Sequence, residues 1–319
     1  MPTKASQPRT AVILPAYNEE LTIAATIQEF HKELPDADIW VVNNASQDKT
    51  FEVAKECMAR IGLEGRGGVI NESRKGKGNA IRRAFLEIDA DVYVLSDADL
   101  TYPAFQVRDL IEPVIAGQAD MVVGDRHSSG RYAEENKRAL HGFGNMFVKK
   151  LVNLLFNANL NDIMSGYRVF NRTFVKSYPI TVEGFEIETD MTLHALDKRF
   201  RIHEIPVQYK NRPEGSISKL NTLTDGTRVI RTISNILRYY KPLVFFGWGA
   251  LLLALTGVMA GIPVFMDWFR YRYIYHIPLA ILSSSIELIA IILFSIGLIL
   301  DSNSHHERRR FERELLLKK

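Results

Sequence analysis

The 319 residues suffice for one large domain and an appendage, and a composition of 46% hydrophobic and 24% charged residues excludes a disordered chain. A formal net charge of +3 is small, so the charge of the whole chain says little about its partners, and no nucleic acid is expected among them. The single cysteine, Cys57, excludes an internal disulfide and fits a reducing compartment.

Residues 1–10 are polar and lack an apolar core, so they do not read as a signal peptide, and the domain that follows is expected in the cytosol. Short apolar runs at 11–14, 39–42, 92–95 and 121–123 read as buried strands. Helical patterns at 21–34, 51–61, 79–88 and 105–116 lie between or after them. Cys57 falls in the second of these helices and reads as a small buried residue. Strand–helix alternation implies an α/β domain with a mostly parallel, doubly wound sheet. In such sheets ligands bind beyond the carboxyl ends of the strands.

Three polar stretches occupy those ends. They are Pro15-Ala16-Tyr17-Asn18-Glu19-Glu20, then Asn43-Asn44-Ala45-Ser46-Gln47-Asp48-Lys49-Thr50, then Ser96-Asp97-Ala98-Asp99. No glycine-rich dinucleotide loop and no Gly-Lys-Ser/Thr phosphate loop is present, which excludes a nicotinamide oxidoreductase and a P-loop NTPase. Asp97 and Asp99 are hard oxygen donors one residue apart. They suit Mg²⁺ or Mn²⁺ bound together with a substrate diphosphate.

Further along, Leu223, Val229, Ile230, Ile233, Ile236, Leu237 and Tyr240 recur at helical spacing among basic residues. Residues 220–241 therefore read as an amphipathic helix at a membrane surface. Two apolar stretches follow within 242–300, at 243–266 and 278–300. Each is long enough to cross a hydrocarbon core of roughly 30 Å. The link between them is rich in Trp and Tyr, as at a membrane interface. Arg228, Arg231, Arg238 and Lys241 precede the first stretch, and Arg308, Arg309, Arg310 and Arg313 follow the second. The link holds only Arg270 and Arg272, so both termini are expected in the cytoplasm, with 301–319 as a basic tail. Glu287 is the one charge in the second stretch. With Gly257 and Gly261 it permits helix association, including a homo-oligomer.

The strand-end motifs, with Gly76-Lys77-Gly78, resemble family-2 glycosyltransferases of the GT-A fold. Gly124-Asp125-Arg126, Asn136-Lys137-Arg138, Asp162-Ile163-Met164-Ser165-Gly166-Tyr167-Arg168 and Arg212-Pro213-Glu214-Gly215-Ser216-Ile217-Ser218-Lys219-Leu220 narrow the resemblance. They are similar to the polyprenyl-phosphate glycosyltransferases, which include dolichol-phosphate mannosyltransferases and bacterial undecaprenyl-phosphate enzymes. The resemblance implies a GT-A domain over 1–219 that transfers one hexose from a nucleotide-diphosphate sugar, a UDP-sugar by preference, to a polyprenyl phosphate with inversion. Pro15, Tyr17, Glu19, Asn44, Lys77 and Asp97 would hold the nucleotide sugar, with Asn44 standing where the family more often has an acid. Asp97 and Asp99 would hold the metal. Arg126, Arg138, Arg212, Ser218 and Lys219 would grip the acceptor phosphate. Asp99, Arg126 and Asp162 would serve the reaction directly, and Glu186 and Glu188 would contact the sugar or order the site. The implied location is the inner cell membrane, with the catalytic domain facing the cytoplasm. A processive polysaccharide synthase shares the fold, but its Gln-x-x-Arg-Trp acceptor motif is absent. A non-catalytic, membrane-tethered nucleotide-sugar binder is the remaining alternative.

Overall fold

The computed structural model describes residues 8–63, 65–128, 139–184, 186–210 and 225–317. The chain divides into two compact units, Met1–Asp225 and Gly226–Lys319.

The first unit is built on a seven-stranded sheet in the order β3-β2-β1-β4-β6-β5-β7. Its strands are β1 (Thr10–Ala16), β2 (Asp38–Asn44), β3 (Gly67–Glu72), β4 (Val92–Leu95), β5 (Met121–Asp125), β6 (Arg168–Asn171) and β7 (Ile202–Pro206). The helices are α1 (Ile23–Glu33), α2 (Thr50–Arg60), α3 (Lys77–Glu87), α4 (Val107–Ile115), α5 (Ala139–Phe156), α6 (Arg172–Ser177) and α7 (Ile187–Asp197). The four strands expected from the apolar runs are present. Three more, β3, β6 and β7, join them. β6 runs antiparallel to both of its neighbours, so the sheet is mixed, with the other pairings parallel.

Alternation along each strand sends side chains to two cores. Val12, Leu14, Ile39, Val41, Val92 and Val94 pack on one face under α1, α2 and α4. Ala11, Ile13, Val42, Tyr93 and Leu95 pack on the other, against α3, α6 and α7. The helices supply matching stripes: α4 buries Val107, Leu110, Ile111 and Val114, a spacing that keeps one face apolar. β1 lies between β2 and β4; α1, which leads from β1 to β2, packs on one face, and α3, which leads into β4, packs on the other. The strand order therefore reverses beside β1, which makes the carboxyl ends of β1, β2 and β4 the expected place for a ligand crevice.

The second unit is helical. It comprises α8 (Asp225–Tyr240), α9 (Pro242–Tyr271) and α10 (Ile277–Leu317). The helices run past the apolar stretches. α9 continues to Tyr271, so only 272–276 forms the link, with Arg272 in the left-handed region. α10 continues through the expected tail as far as Leu317, and its 41 residues reach about 60 Å, twice a hydrocarbon core of roughly 30 Å. The link is pinned by Asp267, whose Oδ2 accepts hydrogen bonds from the backbone N–H groups of Tyr275 at 3.0 Å and His276 at 3.2 Å. α9 and α10 meet through small residues. The Ser283 hydroxyl donates to the Gly257 carbonyl at 2.8 Å, and the Glu287 carboxyl lies against Gly257. Its Oε1 is buried with no hydrogen-bond partner among the described residues.

Candidate active site

The loops after β1 and β2 are laced together. Asn18 N donates to Ser46 Oγ at 3.0 Å, and Gln47 N donates to Asn18 Oδ1 at 2.7 Å. Glu20 N donates to Asp48 Oδ2 at 3.1 Å, and Lys49 N donates to Glu20 Oε2 at 2.9 Å. Glu19 N donates to the Thr50 hydroxyl at 2.8 Å. Much of the polar character of these two motifs therefore shapes the crevice wall. Pro15 is the second-last residue of β1, and Tyr17 follows the strand, its hydroxyl accepting a hydrogen bond from Lys75 Nζ at 2.8 Å.

Asn44 is buried at the end of β2 and spans the next loop. Its Nδ2 donates to the Arg74 carbonyl and its Oδ1 accepts from Gly76 N, both at 2.7 Å. Glu72 closes the other side by accepting from Arg74 N at 2.8 Å and from Arg74 Nε and Nη2 at 2.9 Å. The Arg74 hydrogen bonds hold the Glu72 carboxyl at about 2 against an ordinary 4.5. A depressed carboxyl stabilises the fold fully above its unfolded pKa, and that contribution is lost as pH falls through the folded one. The loss therefore runs from pH 4.5 down to about 2. Glu72→Gln is expected to flatten this part of the acid limb in thermal scans of the detergent-solubilised protein. An unchanged limb would mean that Glu72 is not the group responsible.

This clip leads into Lys77, the first residue of α3. Gly76 and Gly78 flank it because the 182–183 backbone crosses there. A Cβ on Gly76 would lie 2.2 Å from the Glu183 carbonyl oxygen, and one on Gly78 would lie 2.1 Å from that of Val182. Lys77 is buried between two acids. Its Nζ donates to Asp97 Oδ1 and, at 2.5 Å, to Glu188 Oε1. Burial alone would lower its pKa, but the two carboxylates outweigh that and raise it, so the ammonium keeps its charge. Gly166 presses on this group: a Cβ there would lie 2.8 Å from Asp97 Oδ2 and 3.0 Å from Lys77 Nζ.

Asp99 is buried two residues on and accepts from Thr101 N at 3.2 Å and from the Thr101 hydroxyl at 2.5 Å. Among the described residues no third His, Cys, Asp or Glu joins Asp97 and Asp99 in a ligating cluster. Two carboxylates completed by substrate phosphates is how Mg²⁺ is commonly held. The donor set therefore fits a divalent cation that shares its coordination sphere with a diphosphate.

A second charged group lies at the end of β5. Arg126 and Asp162 form a buried, two-pronged pair, Nε to Oδ2 at 2.7 Å and Nη2 to Oδ1 at 2.9 Å. Burial would raise the Asp162 pKa, but the Arg126 hydrogen bonds and charge overcome it and hold the carboxyl below its usual range. Glu204 on β7 fixes the chain here by accepting from Asp162 N at 2.7 Å. Tyr102 ties the two groups together. Its buried hydroxyl accepts from Gly166 N at 2.9 Å, and burial pushes the phenol pKa up so that it stays protonated.

The structure thus brings Lys77, Asp97 and Glu188 into one cluster and Arg126 and Asp162 into another. Both clusters attach to the turn at 162–166. Arg138, Arg212, Ser218 and Lys219 lie outside the described residues, and Glu186 precedes α7. Sequence reasoning did not single out Tyr102, Glu72 or Glu204. Their roles depend on partners brought near by folding, and no local motif marks them.

Comparison with known proteins bears on the family and the fold. Residues 11–178 match Glycosyl transferase family 2. Glycosyltransferase AglJ of Haloferax volcanii is 29% identical over 307 residues, covering 95% of this chain and 97% of that protein. The dolichyl-phosphate hexose transferase of the same organism is 26% identical over 226 residues, covering 71% of this chain and 92% of that one. Glucosyl-3-phosphoglycerate synthase from Mycobacterium tuberculosis, solved with Mn²⁺, uridine diphosphate and phosphoglyceric acid, shares the fold. Its TM-score is 0.54 at 20% identity, over 72% of this chain and 78% of that one.

Proposed function

The chain belongs to glycosyl transferase family 2, and from that premise we propose that it moves a single hexose from a nucleotide-diphosphate sugar, by preference a UDP-sugar, to a polyprenyl phosphate such as undecaprenyl phosphate. One observation carries the reading. A single turn, 162–166, joins a carboxylate cluster suited to a metal diphosphate to a buried arginine suited to a phosphate, in a chain that also has two helices long and apolar enough to cross a membrane.

In this reading the crevice beside β1 takes the nucleotide, with Pro15, Tyr17 and Glu19 along its wall. Because the Asn44 amide already bridges Arg74 and Gly76, its part is to shape the loop beside the base. Asp97 and Asp99 would hold Mg²⁺ or Mn²⁺, which when bound offsets the charge gained by the departing diphosphate. Lys77 sits beside Asp97 as a fixed cation for the same diphosphate. The acceptor phosphate is largely dianionic near neutral pH, since its second pKa is about 6. It needs placement more than a strong base. Its oxygen forms the new bond to the anomeric carbon from the side opposite the leaving group. The bond from that carbon to the diphosphate breaks, and the electron pair leaves with the nucleoside diphosphate. Arg126 would meet the acceptor phosphate, oriented by its two bonds to Asp162, and Arg138, Arg212, Ser218 and Lys219 would complete the grip.

The apolar helices α9 and α10 would anchor the protein in the cell membrane with the catalytic unit in the cytoplasm. The test is a donor screen with the purified full-length protein and undecaprenyl phosphate, with products read by mass spectrometry. The expected product carries one hexose, and its formation stops on chelation and resumes with Mn²⁺ or Mg²⁺. A growing polymer, or tight nucleotide-sugar binding with no product across a panel of lipid phosphates, would overturn the reading.

A further inference from the structure

Arg168 is among the largest fully buried side chains of the protein. Its guanidinium meets neutral groups. Nε donates to the Ser165 carbonyl at 2.8 Å, Nη2 to the Ile163 carbonyl at 2.8 Å, and Nη1 to the Thr192 hydroxyl at 2.9 Å. Among the described residues no carboxylate lies within ion-pair distance. Burial lowers the guanidinium pKa, with Glu188 and Asp162 opposing from farther away. Removing a cation from water is costly, so a residue needed only to fill space here would be apolar.

The position explains the choice. Arg168 opens β6, the antiparallel strand, and pairs with Leu95 of β4 on one side and Val123 of β5 on the other. Leu95 stands two residues before Asp97, and Val123 three before Arg126. The carbonyls that Arg168 holds belong to the 162–166 turn, with Asp162 at one end and Gly166 at the other. Its third contact, Thr192, is on α7, the helix that also carries Glu188, and the Thr192 hydroxyl reaches the Glu188 carbonyl at 3.0 Å. One planar group thus touches the turn twice and the Glu188 helix once. Lysine, with one nitrogen at the end of a flexible stem, has no such fixed fork.

We propose that Arg168 is a positioning residue that holds the Lys77–Asp97–Glu188 cluster and the Arg126–Asp162 pair in register by fixing the 162–166 turn to α7. The claim rests on the reading that these two clusters flank the two substrates. Arg168 itself touches neither.

The experiment uses the full-length protein in detergent, as wild type and as Arg168→Lys, Arg168→Met and Thr192→Val. Hydrogen exchange is followed peptide by peptide, alongside steady-state kinetics with the productive donor and undecaprenyl phosphate. Arg168→Lys is expected to keep wild-type protection in β1 and β2 while the 162–167 backbone exchanges at least about tenfold faster, as for a local opening. Its kcat should fall about a hundredfold while the donor KM moves less than about threefold, since small misplacements are costly in turnover. In an Arg126→Lys background the same change should add less than about threefold, because the two residues act through one turn. Wild-type exchange at 162–167 in Arg168→Lys, or a full hundredfold loss added on top of Arg126→Lys, would overturn the proposal. Should Arg168→Met fail to fold, Thr192→Val gives the independent test, and unchanged exchange there would also count against the α7 anchor. A wild type that transfers to no polyprenyl phosphate would defeat the functional reading. The exchange data would still decide whether Arg168 fixes the turn.

Discussion

Lys77→Met is expected to abolish transfer and to destabilise the first unit by about 3–5 kcal/mol, the usual cost of removing one member of a buried ionic group. Methionine matches the length of lysine but cannot neutralise Asp97 and Glu188, which would face each other across a poorly solvated gap. Turnover should fall about a thousandfold or more, since the substitution also removes the cation proposed to sit beside the departing diphosphate. Two measurements check this: the midpoint of thermal unfolding in detergent and the rate of product formation at saturating substrates. The loss of stability should persist in high salt, because buried charges are poorly screened. Adding Glu188→Gln to Lys77→Met should recover part of the stability by removing one of the stranded charges, with turnover still absent. A Lys77→Met protein as stable as wild type would mean that the ammonium is not the counter-charge of both acids.

Asp162→Asn separates the two halves of the site. Asparagine keeps the shape of the side chain but sets an amide where Arg126 now finds a carboxylate, so a buried charged pair is broken at an expected cost of about 2–5 kcal/mol. The guanidinium loses its fixed direction, and kcat/KM for the lipid phosphate should fall about a hundredfold. Nucleotide affinity, measured by calorimetry, should stay near wild type, because Asp97, Lys77 and Glu188 are untouched. Equal losses in nucleotide binding and lipid use would sink this division of labour. The folded pKa of Asp162 is depressed, so its contribution to stability is present above the unfolded value near 3.8 and is lost as pH falls through the folded one. The asparagine variant should lack that part of the acid limb.

Much of the framework was legible because it is local. The apolar runs of β1, β2, β4 and β5 and the polar stretches after them stand close together in sequence, and Asp97-Ala98-Asp99 follows its strand directly. β3 was harder, since it begins with two glycines and carries few apolar residues. β6 is four residues long and antiparallel, and nothing in Arg168-Val169-Phe170-Asn171 announces that it inserts between β4 and β5. The same limit applies to side chains. Glu188 was visible as an acid near the site, but its bond to Lys77 joins residues 111 apart. Resemblance assigns Asn44 to the nucleotide sugar, but only folding reveals that its amide also bridges the Arg74 carbonyl and the Gly76 N–H of the next loop. In the second unit the apolar stretches were plain. Helix continues into Asp301–Leu317 because helical hydrogen bonding does not require an apolar sequence.

The order of strands in the sheet also sets a timetable. β4 and β5 are synthesised before β6, yet β6 must lie between them. From Asp125 to Arg168 the ribosome adds 43 residues, which takes about 2–9 s at roughly 5–20 residues per second. During that interval the β6 edge of β4 and both edges of β5 have no partner, the kind of surface that invites mispairing. Neither charged cluster can be completed by then, because Asp162 arrives on the segment that leads into β6 and Glu188 follows on α7. A chain interrupted before residue 171 would therefore carry the aspartate pair on an open sheet, unable to catalyse and prone to aggregate.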